Sequence, residues 1–194
     1  GEEGDPSLLA GAESFQRIAE DDRPAPSAPR SGDDMMFLYT GGTTGMPKGA
    51  MWRQDDLYYR FVAGLMGPVP ADRGAFVEHV KHLAVRLRTL VAPPLMHGTG
   101  WFTALIGWLT GGAVVLLDHP KKFDAAELWQ VVDREKPTAI SIVGDSFAKP
   151  LVRALEQASR SYDISSVVMM VSSGVIWSQE TKRALLEANP KMIL

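Results

Sequence analysis

The sequence predicts an α/β fold, a mainly parallel sheet with helices on both faces. Three patterns in its 194 residues carry that prediction. Short apolar runs rich in β-branched residues recur at Leu87 to Ala92, Ala113 to Leu117, Ala139 to Val143 and Val167 to Val171. Between them, Trp101 to Leu109, Asp124 to Glu135 and Ser146 to Ala158 have the length and apolar spacing of helices. Continuous apolar strands alternating with amphipathic helices mark a sheet buried on both faces, because each crossover helix covers part of it. Right-handed crossovers gather the loops that follow the strands along one sheet edge, where ligands bind in such folds. The glycine-bearing segments after Ala92, Val143 and Val171 fall on that edge.

The elements follow in order. Residues 1–33, rich in Gly, Pro, Asp and Glu, read as a connector with one helix-compatible piece at Ser14 to Ala19 and an extended Pro24, Pro26, Pro29 stretch. Residues 34–194 read as the structured domain. Met35 to Tyr39 is a buried strand, Ala50 to Trp52 a second, and Asp55 to Met66 a helix closed by Gly67 and Pro68. Residues 69–86 read as a surface excursion; His79 and His82 lie three apart with no third ligand nearby, so they read as a solvated helix or loop face and no metal site is assigned. Gly98 to Leu117 carries no charge and is long enough to span a bilayer, but Thr110, Gly111 and Gly112 split it into a helix, a turn and a strand. Asp124 and Glu127 form a capping box for a helix whose apolar face is Leu128, Val131 and Val132 and which Pro137 stops. Ser178 caps a helix running to Ala188, and Lys191 to Leu194 opens one more strand.

Composition narrows the function classes. At 45% hydrophobic and 22% charged residues the chain has material for a core, which excludes wholesale disorder. A net charge of −3 argues against a nucleic-acid partner. With no cysteine, disulfides and thiolate zinc sites are excluded, which fits a cytoplasmic protein. The chain opens on Gly1 without a signal-peptide pattern and reads as starting at an artificial or processed boundary.

The densest chemistry lies between Thr40 and Gly49, with Gly41, Gly42, Gly45 and Gly49, Thr40, Thr43 and Thr44, and Lys48. Glycines let backbone N–H groups close on an anion; threonine hydroxyls and a lysine add stronger donors. Composition alone leaves a phosphate cradle and a plain β-hairpin turn about even. A Walker A loop is excluded. Pro47 stands where Gly is needed before the lysine, Gly49 where Ser or Thr is needed after it, and a strand-like run follows instead of a helix.

The run Tyr39 to Gly49 resembles the phosphate-binding motif of the adenylate-forming superfamily of acyl- and aryl-CoA synthetases, luciferases and peptide-synthetase adenylation domains. Its continuation from Ala50 to Asp56 is similar to bacterial, particularly actinobacterial, fatty-acyl-CoA synthetases. Ala92 to Trp101 resembles the family's second core motif, and Val171 to Ser178 the segment that packs along adenine, with Ser173, Gly174 and Val175 in place of the commoner Gly-Gly-Ala. The resemblance spans roughly residues 33–194 and implies part of the large N-terminal domain of an AMP-forming synthetase. It implies that Thr40, Gly41, Gly42, Thr43, Thr44, Gly45 and Lys48 hold ATP phosphates, and that Ser173, Gly174 and Val175 border the base. It implies a catalytic set of Thr43, Lys48 and His97, with His97 shaping the acyl and pantetheine channels and not transferring protons. His97, Trp101, Gly144, Asp145 and Ser172 would face the acid, of the long-chain or steroid side-chain class. ATP, Mg2+ and coenzyme A are the implied cofactors and co-substrates, the acid is the partner, and room is left for peripheral membrane contact. The implied magnesium glutamate, ribose aspartate and C-terminal lysine lie beyond these residues, so the piece alone is expected to be catalytically silent. An aryl-CoA ligase, a peptide-synthetase adenylation domain and a non-catalytic nucleotide-binding remnant stay open as alternatives.

Overall fold

The computed structural model describes residues 15–24, 28–41, 46–63, 70, 72–83, 86–119, 122–159 and 161–194. The chain divides into two compact units, residues 1–31 and 32–194. In the first, helix α1 (Phe15–Ala19) occupies the expected helical piece, and Arg23 Nε donates to both carboxylate oxygens of Asp21 at 2.8 and 2.9 Å.

The second unit carries two sheets. β1 (Met35–Thr40) and β2 (Lys48–Arg53) form an antiparallel ribbon, in register from Met35 opposite Arg53 to Thr40 opposite Lys48. Successive side chains point to opposite faces. Met36, Leu38 and Trp52 are half-buried, and Trp52 packs edge-on to Phe102 at 5.1 Å between ring centroids. Met35, Phe37, Tyr39 and Met51 stand exposed. α2 (Gln54–Tyr58) follows at once and widens into a π-helical turn over Tyr59–Ala63. The helix expected over Asp55 to Met66 thus keeps its start but changes its hydrogen bonding after Tyr58, where Phe61 stacks on Phe102 at 4.8 Å; residues 64–66 lie outside the described residues.

The expected surface excursion contains a helix, α3 (Arg73–Lys81), whose first turn is capped by Asp72 accepting from the Ala75 N–H at 2.8 Å. Phe76, Val77 and Val80 share one side of it, but they are few and lie among charged and small residues, so its periodicity is weak. The expected solvated face also needs correction: His82 is exposed, but His79 is half-buried with its Nε2 enclosed.

β3 (Arg88–Val91), β4 (Ala113–Val115), β5 (Ala139–Ile142) and β6 (Met169–Ser172) form an all-parallel sheet in the order β4-β3-β5-β6. Ile193 extends it through a parallel bridge to Met169, at the place where one more strand is expected to open. The pairing lines up Val115, Leu90, Ile140 and Met170 as one row across the sheet. That row meets Leu128, Trp129 and Val132 of α5 (Ala125–Glu135), Leu151 of α6 (Gly144–Glu156) and Leu185 of α7 (Gln179–Ala188) in the main core. The alternate row belongs to α4 (Gly98–Leu109) on the other face. There Thr103 Oγ1 donates to Ser141 Oγ at 3.0 Å, and a Cβ on Gly107 would sit 3.3 Å from Val114. Helices therefore cover both faces, as the sequence predicts.

This order creates a switch point. The chain steps from β3 through α4 to β4 on one side, then crosses β3 through α5 to reach β5 on the other. Right-handed crossovers in opposite directions put α4 and α5 on opposite faces and leave a crevice beyond the carboxyl ends of β3 and β5.

Several boundaries differ from the expected ones. α4 begins at Gly98 instead of Trp101 because His97 caps it, and α6 begins at Gly144 instead of Ser146. β6 starts at Met169 instead of Val167; Val167 is fully buried, yet its N–H closes a turn onto Ile164 before the ladder begins. The capping box is half formed: Asp124 accepts from the N–H groups of Ala126 and Glu127, while the Glu127 carboxylate takes the His119 N–H at 2.8 Å. The uncharged Gly98 to Leu117 stretch is α4, a turn and β4. Among the described residues no helix is long and apolar enough to cross a membrane.

Candidate functional site

The glycine-rich segment connects the two ribbon strands. Thr40 ends β1 and Lys48 begins β2 directly opposite, with Thr40 Oγ1 donating to the Lys48 carbonyl at 3.4 Å. The hairpin reading is therefore correct as far as backbone goes, and a strand, not a helix, follows the lysine. Gly42, Thr43, Thr44 and Gly45 lie outside the described residues. Thr40, Gly41 and Lys48 are exposed at the hairpin mouth.

That mouth opens on a cavity of about 720 Å³. Thr40 and Gly41 line one side, His97 and Thr99 at the start of α4 a second, Ser173 and Gly174 after β6 a third. The sheet edge thus brings the three expected segments together. His97 is the N-cap of α4: its Nδ1 accepts the Thr99 N–H at 3.2 Å. In the neutral ring the hydrogen then sits on Nε2. A Cβ on Gly174 would lie 3.7 Å from His97 Cε1 and 3.9 Å from Nε2, so the ring edge faces that glycine, whose φ of +95° suits no other residue well. Thr99 Oγ1 bonds Ser173 Oγ at 2.5 Å, closing the floor between α4 and β6. The N-terminus of α4 adds partial positive charge on the same side. Hydroxyls, a ring N–H and a helix N-terminus make a surface of donors suited to anionic oxygen.

The third side of the cavity is tied to the start of α6. Ser172 Oγ accepts the Gly144 N–H at 2.8 Å, and the Asp145 N–H donates to the Ile176 carbonyl at 3.1 Å. Asp145 Oδ1 accepts from Ser178 N–H and Oγ, both at 3.0 Å, and from Thr181 Oγ1 at 2.9 Å. The Ser178 backbone bond first, then the hydroxyls of Thr181 and Ser178, hold the Asp145 carboxyl down to about 2. Val175 is 57% exposed and leans against Gly144.

A second cavity, about 510 Å³ and mostly apolar, opens beyond the ends of β3 and β4. Pro93, Leu117, Phe123 and Phe147 line it, with His119 and Lys122 also on its wall; the Phe123 and Phe147 rings approach to 4.5 Å. Among the expected substrate residues, His97 lines the first cavity. Ser172, Gly144 and Asp145 form the tie described above and line neither cavity. Trp101 also lines neither, packing edge-on to Trp108 at 6.2 Å. Sequence reading missed Leu38, Thr99 and Phe102 on the first cavity. Thr99 had a local signal, two residues past a helix N-cap; Leu38 and Phe102 look like any core residue.

Comparison with known proteins follows the same lines. Residues 3–194 match the AMP-binding enzyme family. The chain is 31% identical over 190 residues to the medium-chain acyl-CoA ligase Mig of Mycobacterium avium, covering 96% of this chain and 34% of that protein. It is 32% identical over 204 residues to a 3-oxocholest-4-en-26-oate--CoA ligase of Rhodococcus rhodochrous, covering 100% of this chain and 36% of that protein. It thus spans about a third of the length of these curated relatives. In fold it resembles the inhibitor-bound N-terminal domain of FACL13 from Mycobacterium tuberculosis, with a TM-score of 0.65 at 20% identity, covering 90% of this chain and 39% of that one.

Proposed function

The chain belongs to the AMP-binding enzyme family, and from that premise we propose that it is the ATP- and acyl-binding portion of an AMP-forming acyl-CoA synthetase. The observation that carries this reading is the single cavity shared by the hairpin mouth, His97 and the Ser173–Gly174 turn. Thr40, Gly41, Thr43, Thr44 and Lys48 would hold the β- and γ-phosphates, with Lys48 offsetting charge that grows on pyrophosphate as it leaves. Ser173, Gly174 and Val175 would border the base, since a glycine lets a flat ring approach the backbone. The apolar cavity beside Phe147 suits the carbon chain of a fatty or steroid side-chain acid, in keeping with the acids in the relatives' names.

In the first half-reaction a carboxylate oxygen bonds to the α-phosphorus of ATP and the bond to the bridging oxygen breaks, giving acyl-AMP and pyrophosphate. In the second, the coenzyme A sulfur bonds to the acyl carbon and AMP leaves. The residues at this cavity contribute alignment and charge, the two terms such transfers depend on most. His97, with Nδ1 occupied by the Thr99 N–H, shapes the passage and offers Nε2–H as a donor. Among the described residues no three His, Asp or Glu side chains gather as a cation site. A cytoplasmic location fits the same reading.

ATP–pyrophosphate exchange with a panel of fatty and steroid side-chain acids tests it. The full-length parent is expected to exchange in a way that depends on one of these acids, and the 194-residue chain alone to show none. Exchange by the chain alone, or a parent that ignores every acid of both classes, would sink the proposal.

A further inference from the structure

We propose that Gly144 and Asp145, the first two residues of α6, are positioning residues that hold the 172–178 rim of the nucleotide cavity in shape. This rests on the reading of that cavity as the nucleotide site, and it gives Asp145 a different task from facing the acid.

Apart from Trp177, which packs against the core, the rim has little support from packing. Val175 is 57% exposed and Ile176 84%, and Ser173 and Gly174 are open to the cavity. A loop with so little buried surface takes its shape from its hydrogen bonds. Besides the Thr99–Ser173 contact, those bonds converge on one dipeptide. The Gly144 N–H is bound to Ser172 at the start of the rim, and the Asp145 N–H to Ile176 in its second half. The Asp145 carboxylate holds Ser178 at the end. Gly144 has φ of +51°, and a Cβ there would lie 2.4 Å from the Ile176 carbonyl oxygen, so the close approach requires glycine. Oδ1 of Asp145 takes three donors, from Ser178 N–H, Ser178 Oγ and Thr181 Oγ1, which also fixes the first turn of α7. Lys149 approaches the other oxygen at 3.4 Å. With its carboxyl held down to about 2, Asp145 is ionised at neutral pH. Since it lines neither cavity, it acts through the rim and not on the ligand.

In the full-length parent, the test compares wild type with Asp145→Asn, Thr181→Val and Lys149→Met by amide hydrogen exchange and by AMP titration. Loss of a charge-assisted acceptor is worth about tenfold in a local equilibrium. Asp145→Asn is therefore expected to speed exchange at residues 173–177 about tenfold and to weaken AMP binding by a similar factor, with β3 and β5 unchanged. Thr181→Val, which removes one donor and keeps the shape, is expected to give a smaller change of the same kind. Lys149→Met is expected to change either readout less than twofold. Should Asp145→Asn loosen the whole chain, the local signature of Thr181→Val decides. Unaltered exchange at 173–177 in both rim variants overturns the positioning role. So does a rise spread equally over the strands in Thr181→Val, or unaltered AMP affinity in a variant whose rim has loosened. Failure of the wild type to bind AMP overturns the nucleotide reading, and exchange alone then judges the dipeptide.

Discussion

The parallel sheet and the β1–β2 ribbon are both built from short apolar strands, yet they are stabilised in different ways. In the sheet, Leu90, Ile140 and Met170 have no exposure, and α5, α6 and α7 close over them with Trp129, Leu151 and Leu185 equally buried. In the ribbon, Phe37, Tyr39 and Met51 are more than half exposed, and only the inner row of Met36, Leu38 and Trp52 finds cover. A two-stranded ribbon is marginal by itself, so it borrows order from its contact with Phe61 and Phe102. The difference separates tasks: the sheet fixes His97 and the 172–178 rim, while the ribbon presents the glycine-rich loop from a lightly packed support.

The largest effect that would break this contrast lies at Trp129. Its ring is fully buried, and its Nε1 donates to the Leu151 carbonyl at 2.9 Å, joining α5 to α6. Trp129→Ala is expected to cost about 3–5 kcal/mol in urea unfolding, through the cavity and the lost ring N–H bond together. A loss below about 1 kcal/mol would mean that the sheet side is no better packed than the ribbon. A smaller effect is expected at Asn189, which is 6% exposed. Its Nδ2 donates to the carbonyls of Ile164 and Val167 at 3.0 and 2.9 Å, fixing the turn that leads into β6. Asn189→Ala removes a donor from each carbonyl, of which Ile164 keeps the Val167 N–H, and should cost about 1–3 kcal/mol by the same measurement.

The same contrast governs what could be read in advance. β3 and β5 were legible because burial on both faces writes an unbroken apolar run, and α5 because Leu128, Val131 and Val132 recur at helical spacing. α3 was not, since its apolar side is only Phe76, Val77 and Val80 in a short charged segment and Asp72 is its main local signal. The start of β6 was misplaced because Val167 is as buried as any strand residue, and burial rather than pairing is what apolarity reports. At the site, the chemistry of Thr40, Lys48 and His97 was visible in local motifs. The contacts between Thr99 and Ser173 and between Asp145 and Ser178 were not, because they join residues 74 and 33 apart that only the sheet order brings together.

The smallest expected effect sharpens the comparison most. Phe37 is 54% exposed and sits opposite Met51 on the outer face of the ribbon, beside Tyr39. Phe37→Ser removes a ring that covers little but Gly49, together with some strand propensity, so the expected cost is less than about 1 kcal/mol. The main urea transition should be unmoved, because the ring belongs to no part of the sheet core. A cost above about 2 kcal/mol would show instead that this face is packed in solution, since exposed positions do not pay such penalties. The ribbon would then be as firmly anchored as the sheet, and the glycine-rich loop would open from a rigid frame rather than a lightly held one.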